Sequence, residues 1–174
     1  MRPEAEKKMK RIMQFSQVLR KFCQGLLILA ALGFLVSIVA SLAGRGTILA
    51  FDTVVPLSLL ALPQRLIMLA IIGLAMGALL KGLYNLQRLF GSYAHGEVFT
   101  RDAVSDIRQL GIAALLWAAA NVIWTASIPS LLVSQPIHIY EFHPDSLVIG
   151  IVVIGVSWFM EMAVEMREEN DLTI

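Results

Sequence analysis

Three glutamates near the end of the chain have the spacing of one helical face. Glu161, Glu165 and Glu168 stand at positions i, i+4 and i+7, which an α-helix places on the same side. Carboxylates in this arrangement can pair with cations, bind a basic partner or carry protons. The cations predicted to pair with them are Lys81, Arg88, Arg101 and Arg108. Three interpretations stay open: a structural salt-bridge collar, a docking surface for a cytoplasmic protein, and a proton- or cation-handling site.

Asn121 is the second residue that could carry chemistry, because it is the only strongly polar side chain deep inside an apolar stretch. At helical spacing it shares a face with Trp117 and Trp124. An amide in this position either bonds to a neighbouring helix or lines a pore or ligand site. Both interpretations stay open.

The chain lacks the residue patterns of common catalytic and cofactor sites. It has no Gly-rich phosphate loop, no nucleophile elbow and no pair of carboxylates deep in an apolar stretch. Its three histidines lie outside those stretches, which excludes a bis-histidine haem within a membrane. In a strand, His138 would face away from Glu141 and His143, so no zinc site is expected there. We predict no enzyme activity, no cofactor and no metal.

The elements that must position these residues are four apolar stretches, at 22–42, 66–80, 110–128 and 147–160. A membrane-spanning helix needs about 20 such residues. Only 16% of the chain is charged, whereas soluble domains carry about 25%. We therefore predict a single-domain, all-α membrane protein with four transmembrane helices over residues 22–42, 66–86, 110–128 and 146–164. Helical extensions are predicted at 84–109 and 161–170.

The distribution of Lys and Arg predicts the orientation of the helices. Twelve of these residues lie before the first stretch, between the second and third, or after the fourth, and only two lie in the other connections. Positive residues are retained in the cytoplasm. Both termini and the connection between the second and third helices are therefore predicted to be cytoplasmic.

The connections contain their own structural signals. Residues 47–55 and 137–143 alternate in the manner of strands, which predicts a small external two-stranded ribbon between them. In the cytoplasmic connection, Gly91 and Gly96 are predicted stop and turn positions. Thr100 is predicted to cap the next helix, with Asp102 in its first turn.

Small residues at helical spacing predict how the helices pack. Gly25, Gly33, Ser37 and Ser41 recur on nearly one face of the first stretch, and Gly73 and Gly77 lie in the second. Such residues allow close approach of helix backbones in lipid. We predict packing between the first two helices, with a homodimer interface as the alternative.

Two motifs carry a family resemblance: G-E-V-F-T at residues 96–100 and E-N-D-L-T at residues 169–173. With the four stretches, they make the chain resemble a bacterial family of small four-helix inner-membrane proteins of unknown function. The resemblance implies location in the inner membrane and a cytoplasmic helix-turn-helix regulator of the XRE type as partner, since such regulators are often encoded beside family members. Ala103, Ser105 and Asp106 replace a more basic run, so direct nucleic-acid binding is not expected.

The leading functional hypothesis is a membrane sensor or tether that engages a cytoplasmic partner. The alternatives are a small transporter or channel subunit, with Asn121 and Glu161 lining the path, and a structural subunit of a larger membrane complex. The lipid bilayer is the one partner that all three require.

Overall fold

The computed structural model describes residues 3–44, 46–51, 53–95, 100–131 and 144–171. The elements in chain order are α1 (Pro3–Ala43), β1 (Thr47–Ala50), β2 (Thr53–Pro56), α2 (Leu62–Ala94), α3 (Arg101–Leu131) and α4 (Asp145–Asp171). All four helices are long and apolar enough to cross a membrane. The predicted fold class, a helical membrane protein with a small two-stranded ribbon, is confirmed. The cytoplasmic location of the termini stays a prediction.

The end of α2 and the start of α3 both extend beyond the predicted transmembrane spans, into the connection between the two helices. α2 continues through Gly91 to Ala94, so the predicted stop at Gly91 is wrong. The helix ends one turn later, where the His95 amide donates to the Ser92 carbonyl at 3.0 Å. At the start of α3, the Thr100 hydroxyl accepts the Ala103 amide at 3.2 Å, which confirms the predicted cap. Gly96 lies outside the described residues.

Each helix packs mainly against its neighbour in sequence, so that α1 contacts α2, α2 contacts α3 and α3 contacts α4. α3 and α4 approach each other closely at Gly111 and Gly150. A Cβ atom added at Gly111 would lie 2.6 Å from Ile154 Cγ1 and 3.0 Å from the Gly150 carbonyl oxygen. Glycine is therefore required here because the two backbones nearly touch.

The predicted packing between the first two helices is confirmed, but three of the six small residues expected to form it have no neighbour close to their backbone. Added Cβ atoms at Gly25, Gly33 and Gly77 would meet no atom within 4 Å, and one at Gly73 would meet only the Phe34 ring. Helical spacing places small residues on one face, but it does not say whether a neighbour covers that face. α1 and α2 do pack together, and the buried residues in the described part of α1 are the small Ser16, Cys23 and Ser41.

β1 and β2 form a hairpin within the first connection. Ile48 pairs with Val55, and Leu49 pairs with Val54. The prediction of one strand over 47–55 is wrong, because the chain turns at Phe51, which has a φ of 46°. The proposed partner strand at 137–143 lies outside the described residues.

The hairpin lies beside the helices, not beyond their ends. Ile48, Val55 and Leu57 are buried against Met68 and Trp124, in one cluster with neighbouring residues of α2. Both helical residues belong to segments apolar enough to cross a membrane. The opposite face of the hairpin carries exposed Leu49 and Val54.

Candidate functional site

Charged side chains gather where the end of α2, the start of α3 and the later part of α4 meet. Arg88 of α2 donates from Nε to Asp106 Oδ2 of α3 at 3.0 Å. Its Nη2 lies 3.8 Å from Asp102 Oδ1. The Asp106 side chain is only 3% exposed, so the guanidinium is the counter-charge of a buried carboxylate. This pair fixes α2 to α3 at what we call the charged end of the protein.

A second ion pair joins α3 to α4 at the same end. Arg108 Nη2 lies 2.6 Å from Glu161 Oε2, and both side chains are partly exposed. Exposed pairs of this kind contribute at most about 1 kcal/mol. The Arg108–Glu161 pair therefore positions α4 more than it stabilises the fold.

Glu165 and Arg101 belong to the same region. With Glu161, Val104 and Val164 they line a small cleft of about 110 Å³ between α3 and α4. The structure thus brings together Arg101, Arg108, Glu161 and Glu165 among the predicted charged residues. The Glu168 side chain lies outside the part of the chain that is described.

Two of the predicted cations do not pair with Glu161. Arg88 is bound to Asp106 and Asp102 instead, so its predicted pairing with Glu161 is wrong. Lys81 is exposed and forms no ion pair with any residue that the structure describes. The physical reason is that α3 stands between α2 and α4, and its carboxylates are nearer to the α2 cations.

Sequence reasoning missed the carboxylates that face Arg88 at this end, and two buried polar atoms on α2 and α3. Asp102 and Asp106 have i, i+4 spacing on α3 and face Arg88. One turn deeper, the buried Asn85 Nδ2 and Gln109 Oε1 find no hydrogen-bond partner among the described residues. The acidic i, i+4 pair opposite an arginine was the signal that could have identified the Arg88 site.

Asn121 lies far from these charges. Its Oδ1 is 3.4 Å from the Thr125 hydroxyl, which also donates to the Asn121 carbonyl at 3.0 Å. Both contacts are within α3. Arg108, the partner of Glu161, lies 13 residues away on α3, which corresponds to about 20 Å of helix. Asn121 and Glu161 therefore lie at separate levels of the protein.

An aromatic cluster stands beside Asn121. The Phe51 ring at the hairpin turn lies 5.4 Å from the Trp117 ring and 5.7 Å from the Trp124 ring, measured between centroids. A positive φ is unfavourable for a residue with a Cβ atom. The contact with two indoles offsets the backbone strain at Phe51 and links the hairpin to α3.

Replacing Phe51 with Leu should lower the free energy of unfolding by about 1–2 kcal/mol, because two aromatic contacts are lost while apolar volume is kept. We expect the tryptophan emission to change as well. The measurement is detergent-based unfolding with fluorescence detection in a Trp158→Phe background, so that only Trp117 and Trp124 report. Leu49→Ala, at a side chain that is 72% exposed, is the control, and equal effects of the two changes would contradict this packing.

An apolar groove of about 330 Å³ lies between α2, α3 and α4. Gly82, Ala113 and Trp117 form part of its wall, and Ser146 and Ile149 at the start of α4 close one side. Within a membrane, a groove with such a lining suits an acyl chain or a side chain of another helix.

α4 continues past the Arg108–Glu161 pair as what we call the acidic projection, residues 161–171. Five carboxylates and one arginine give this segment a net charge of −4. Its exposed surface includes Met162 and Met166, which are 51% and 59% exposed, one turn apart. Methionines presented in this way suit a protein-binding surface, because their flexible side chains adapt to a partner.

Comparison with known proteins identifies the family of the chain, but it gives no individual relative and no solved structure. A search of curated proteins and a search of solved structures found no match. A family model described as "Protein of unknown function (DUF2975)" matches residues 52–174, which include the second hairpin strand and α2 to α4. The resemblance to a family of unknown function is thereby confirmed, and the chain belongs to the DUF2975 family.

Proposed function

We propose that this membrane protein acts as a sensor or tether that engages a soluble cytoplasmic partner through the acidic projection. The observation that carries the proposal is the exposure of Met162 and Met166 on a helical segment of net charge −4. Six charged residues within 11 positions make burial of this segment in hydrocarbon too costly. It is therefore available to a partner in water.

The chemistry of the projection favours a partner with a basic face and an apolar centre. Charge complementarity accelerates association and orients the two surfaces, while methionines supply adaptable apolar contact. A small helix-turn-helix regulator, the partner implied by the family resemblance, carries a basic surface for nucleic acid. Binding to the acidic projection would compete with its binding to nucleic acid.

α3 supplies a physical route from the opposite end of the protein. Trp117 and Trp124 contact the hairpin turn, and Arg108 on the same helix binds Glu161. A lipid, peptide or other stimulus that displaces the hairpin would tilt or rotate α3. The acidic projection would then move as well, because α3 holds α4 through the Arg108–Glu161 pair.

Site-specific photo-crosslinking tests the proposal in intact cells. A photoreactive residue at position 166 should form an adduct with a basic soluble protein, whereas the same residue at position 152 should not. Val152 lies on α4 and is similarly exposed, but within the apolar part of the helix. Glu165→Arg should reduce the adduct at position 166 at least tenfold through charge repulsion.

The pattern of adducts also separates the alternatives. Adducts with membrane subunits at both positions would support a structural subunit of a larger complex. An adduct at position 166 that Glu165→Arg leaves unchanged would argue against recognition by the acidic projection. Purified partner should bind the wild-type protein in detergent, and the affinity should fall as salt is raised.

A further inference from the structure

A polar groove of about 340 Å³ lies between α1 and α2, on a different side of the charged end from the acidic projection. The polar side chains that line it are Arg20, Tyr84, Gln87, Arg88, Ser92 and His95. Two guanidinium groups, an imidazole, an amide and two hydroxyls thus face one space. No carboxylate is among its lining residues, and Asp106 lies buried behind Arg88.

The two arginines have hydrogen-bond donors to spare. Arg20 forms no ion pair within the described part of the chain. Arg88 uses Nε for Asp106, but a guanidinium carries five N–H donors, so others remain available to a ligand. Arg88 is already the counter-charge of Asp106, so the uncompensated positive charge of the groove comes from Arg20, and Arg88 adds free N–H donors. Both features favour binding of an anion.

Gly91 has no side chain, which leaves space for the Arg20 guanidinium at the base of the groove. A Cβ atom added there would lie 3.7 Å from Arg20 Cζ and Nη1, so the Arg20 guanidinium lies across the glycine backbone. His95 is held nearby, because its Nδ1 donates to the Gly91 carbonyl at 2.8 Å. In a neutral ring Nε2 is then an acceptor, so His95 borders the groove without adding a donor to it. α2 thus fixes the position of the Arg20 guanidinium without neutralising it.

The level of the groove suggests the source of the anion. Arg20 and Lys21 immediately precede the long apolar stretch of α1, and Arg88 follows that of α2. Lipid phosphates lie at this boundary, and Tyr84, 57% exposed, is the kind of residue enriched there. Basic pockets between transmembrane helices at this level suit anionic headgroups.

We propose that this groove binds a phosphate group, supplied by the headgroup of an anionic phospholipid, with Arg20 and Arg88 as the charged ligands. The Tyr84 hydroxyl and the Gln87 amide, which also line the groove, supply further donors. A bound headgroup would fasten α1 to α2 at the charged end. The phosphate site is separate from the acidic projection, so the proposal of a phosphate site does not depend on the proposal of a cytoplasmic partner.

Native mass spectrometry of the purified full-length protein tests the proposal. The probes are phosphatidylglycerol, phosphatidylcholine and the soluble headgroup glycerol 3-phosphate, each added to the protein in mild detergent. We expect one tightly retained phosphatidylglycerol, with Arg20→Gln reducing its apparent affinity about tenfold through loss of a charge-assisted contact. Lys21→Gln removes the same charge one position along α1 and should bind as the wild type does.

A second variant separates loss of the site from misfolding. Gly91→Leu keeps every charge but fills the groove, so it should also reduce binding about tenfold while Lys21→Gln does not. Arg20-dependent binding of glycerol 3-phosphate without selectivity for the lipid would support the phosphate site and assign it a soluble ligand. Equal retention of phosphatidylglycerol and phosphatidylcholine, without Arg20-dependent binding of glycerol 3-phosphate, would overturn the proposal. Equal retention of phosphatidylglycerol by wild type, Arg20→Gln and Gly91→Leu would overturn it as well.

Discussion

Replacing Arg88 with Met should lower the free energy of unfolding by about 3 kcal/mol. The Asp106 carboxylate, 3% exposed, accepts a hydrogen bond from Arg88 at 3.0 Å. Asp102 lies at 3.8 Å from the same guanidinium and cannot replace it, because it carries the same charge as Asp106. The variant would leave a buried carboxylate without its cation between two helices.

The double variant Arg88→Met/Asp106→Leu should recover most of the lost stability, because removing both charges removes the desolvation penalty. Lys81→Met on the same helix is the matched control, and we expect a change within about 0.5 kcal/mol. Unfolding in mixed micelles, followed by circular dichroism, measures all three. If Arg88→Met and Lys81→Met destabilised the protein equally, the Asp106 pair would not be the anchor described above.

The second large effect concerns the contact between α3 and α4. Gly111→Leu should destabilise the protein by about 3 kcal/mol, at the upper end of what an overpacked core costs. The new side chain would meet Ile154 Cγ1 at 2.6 Å, the Gly150 carbonyl oxygen at 3.0 Å and the Ile154 amide nitrogen at 3.2 Å. Two of these three atoms are backbone, so the clash can be relieved only by moving α4.

Gly155→Leu on α4 is the control, since a Cβ atom added there meets no atom within 4 Å. Crosslinking gives a second measurement: cysteines at 108 and 161, placed in a Cys23→Ser background and joined by a bifunctional maleimide, should crosslink in the otherwise wild-type protein and lose most of that crosslinking with Gly111→Leu. Unimpaired crosslinking in the Gly111→Leu variant would mean that α4 does not pack on α3 at Gly111.

The apolar stretches predicted the four helices correctly because the free energy of burying apolar residues in lipid sums along the sequence and needs no knowledge of neighbours. The helical extensions were predictable for a similar reason. In α4, for example, neither Gly nor Pro interrupts residues 156–171. The cap at Thr100 is likewise a local interaction between residues three positions apart.

Contacts between helices were not predictable in the same way. Gly25 and Gly33 have the same spacing as many packed pairs, yet the close contact falls at Gly111 and Gly150. The sequence offers Arg88 carboxylates on both α3 and α4. Arg88 binds Asp106 of α3, because α3 lies between α2 and α4. The hairpin turn at Phe51 depends on Trp117 and Trp124, 66 and 73 positions later in the chain, and no local pattern reports that contact.

That separation along the chain has a consequence for biogenesis. Residues 47–56 emerge from the ribosome before α2 and long before Trp124, yet Trp124 and Met68 form the wall against which they are buried. When the hairpin leaves the ribosome, neither Met68 nor Trp124 has yet emerged. Loop closure over such a distance is slow compared with helix formation. The helices therefore insert first and the hairpin docks last, which makes it the final element to acquire its native contacts.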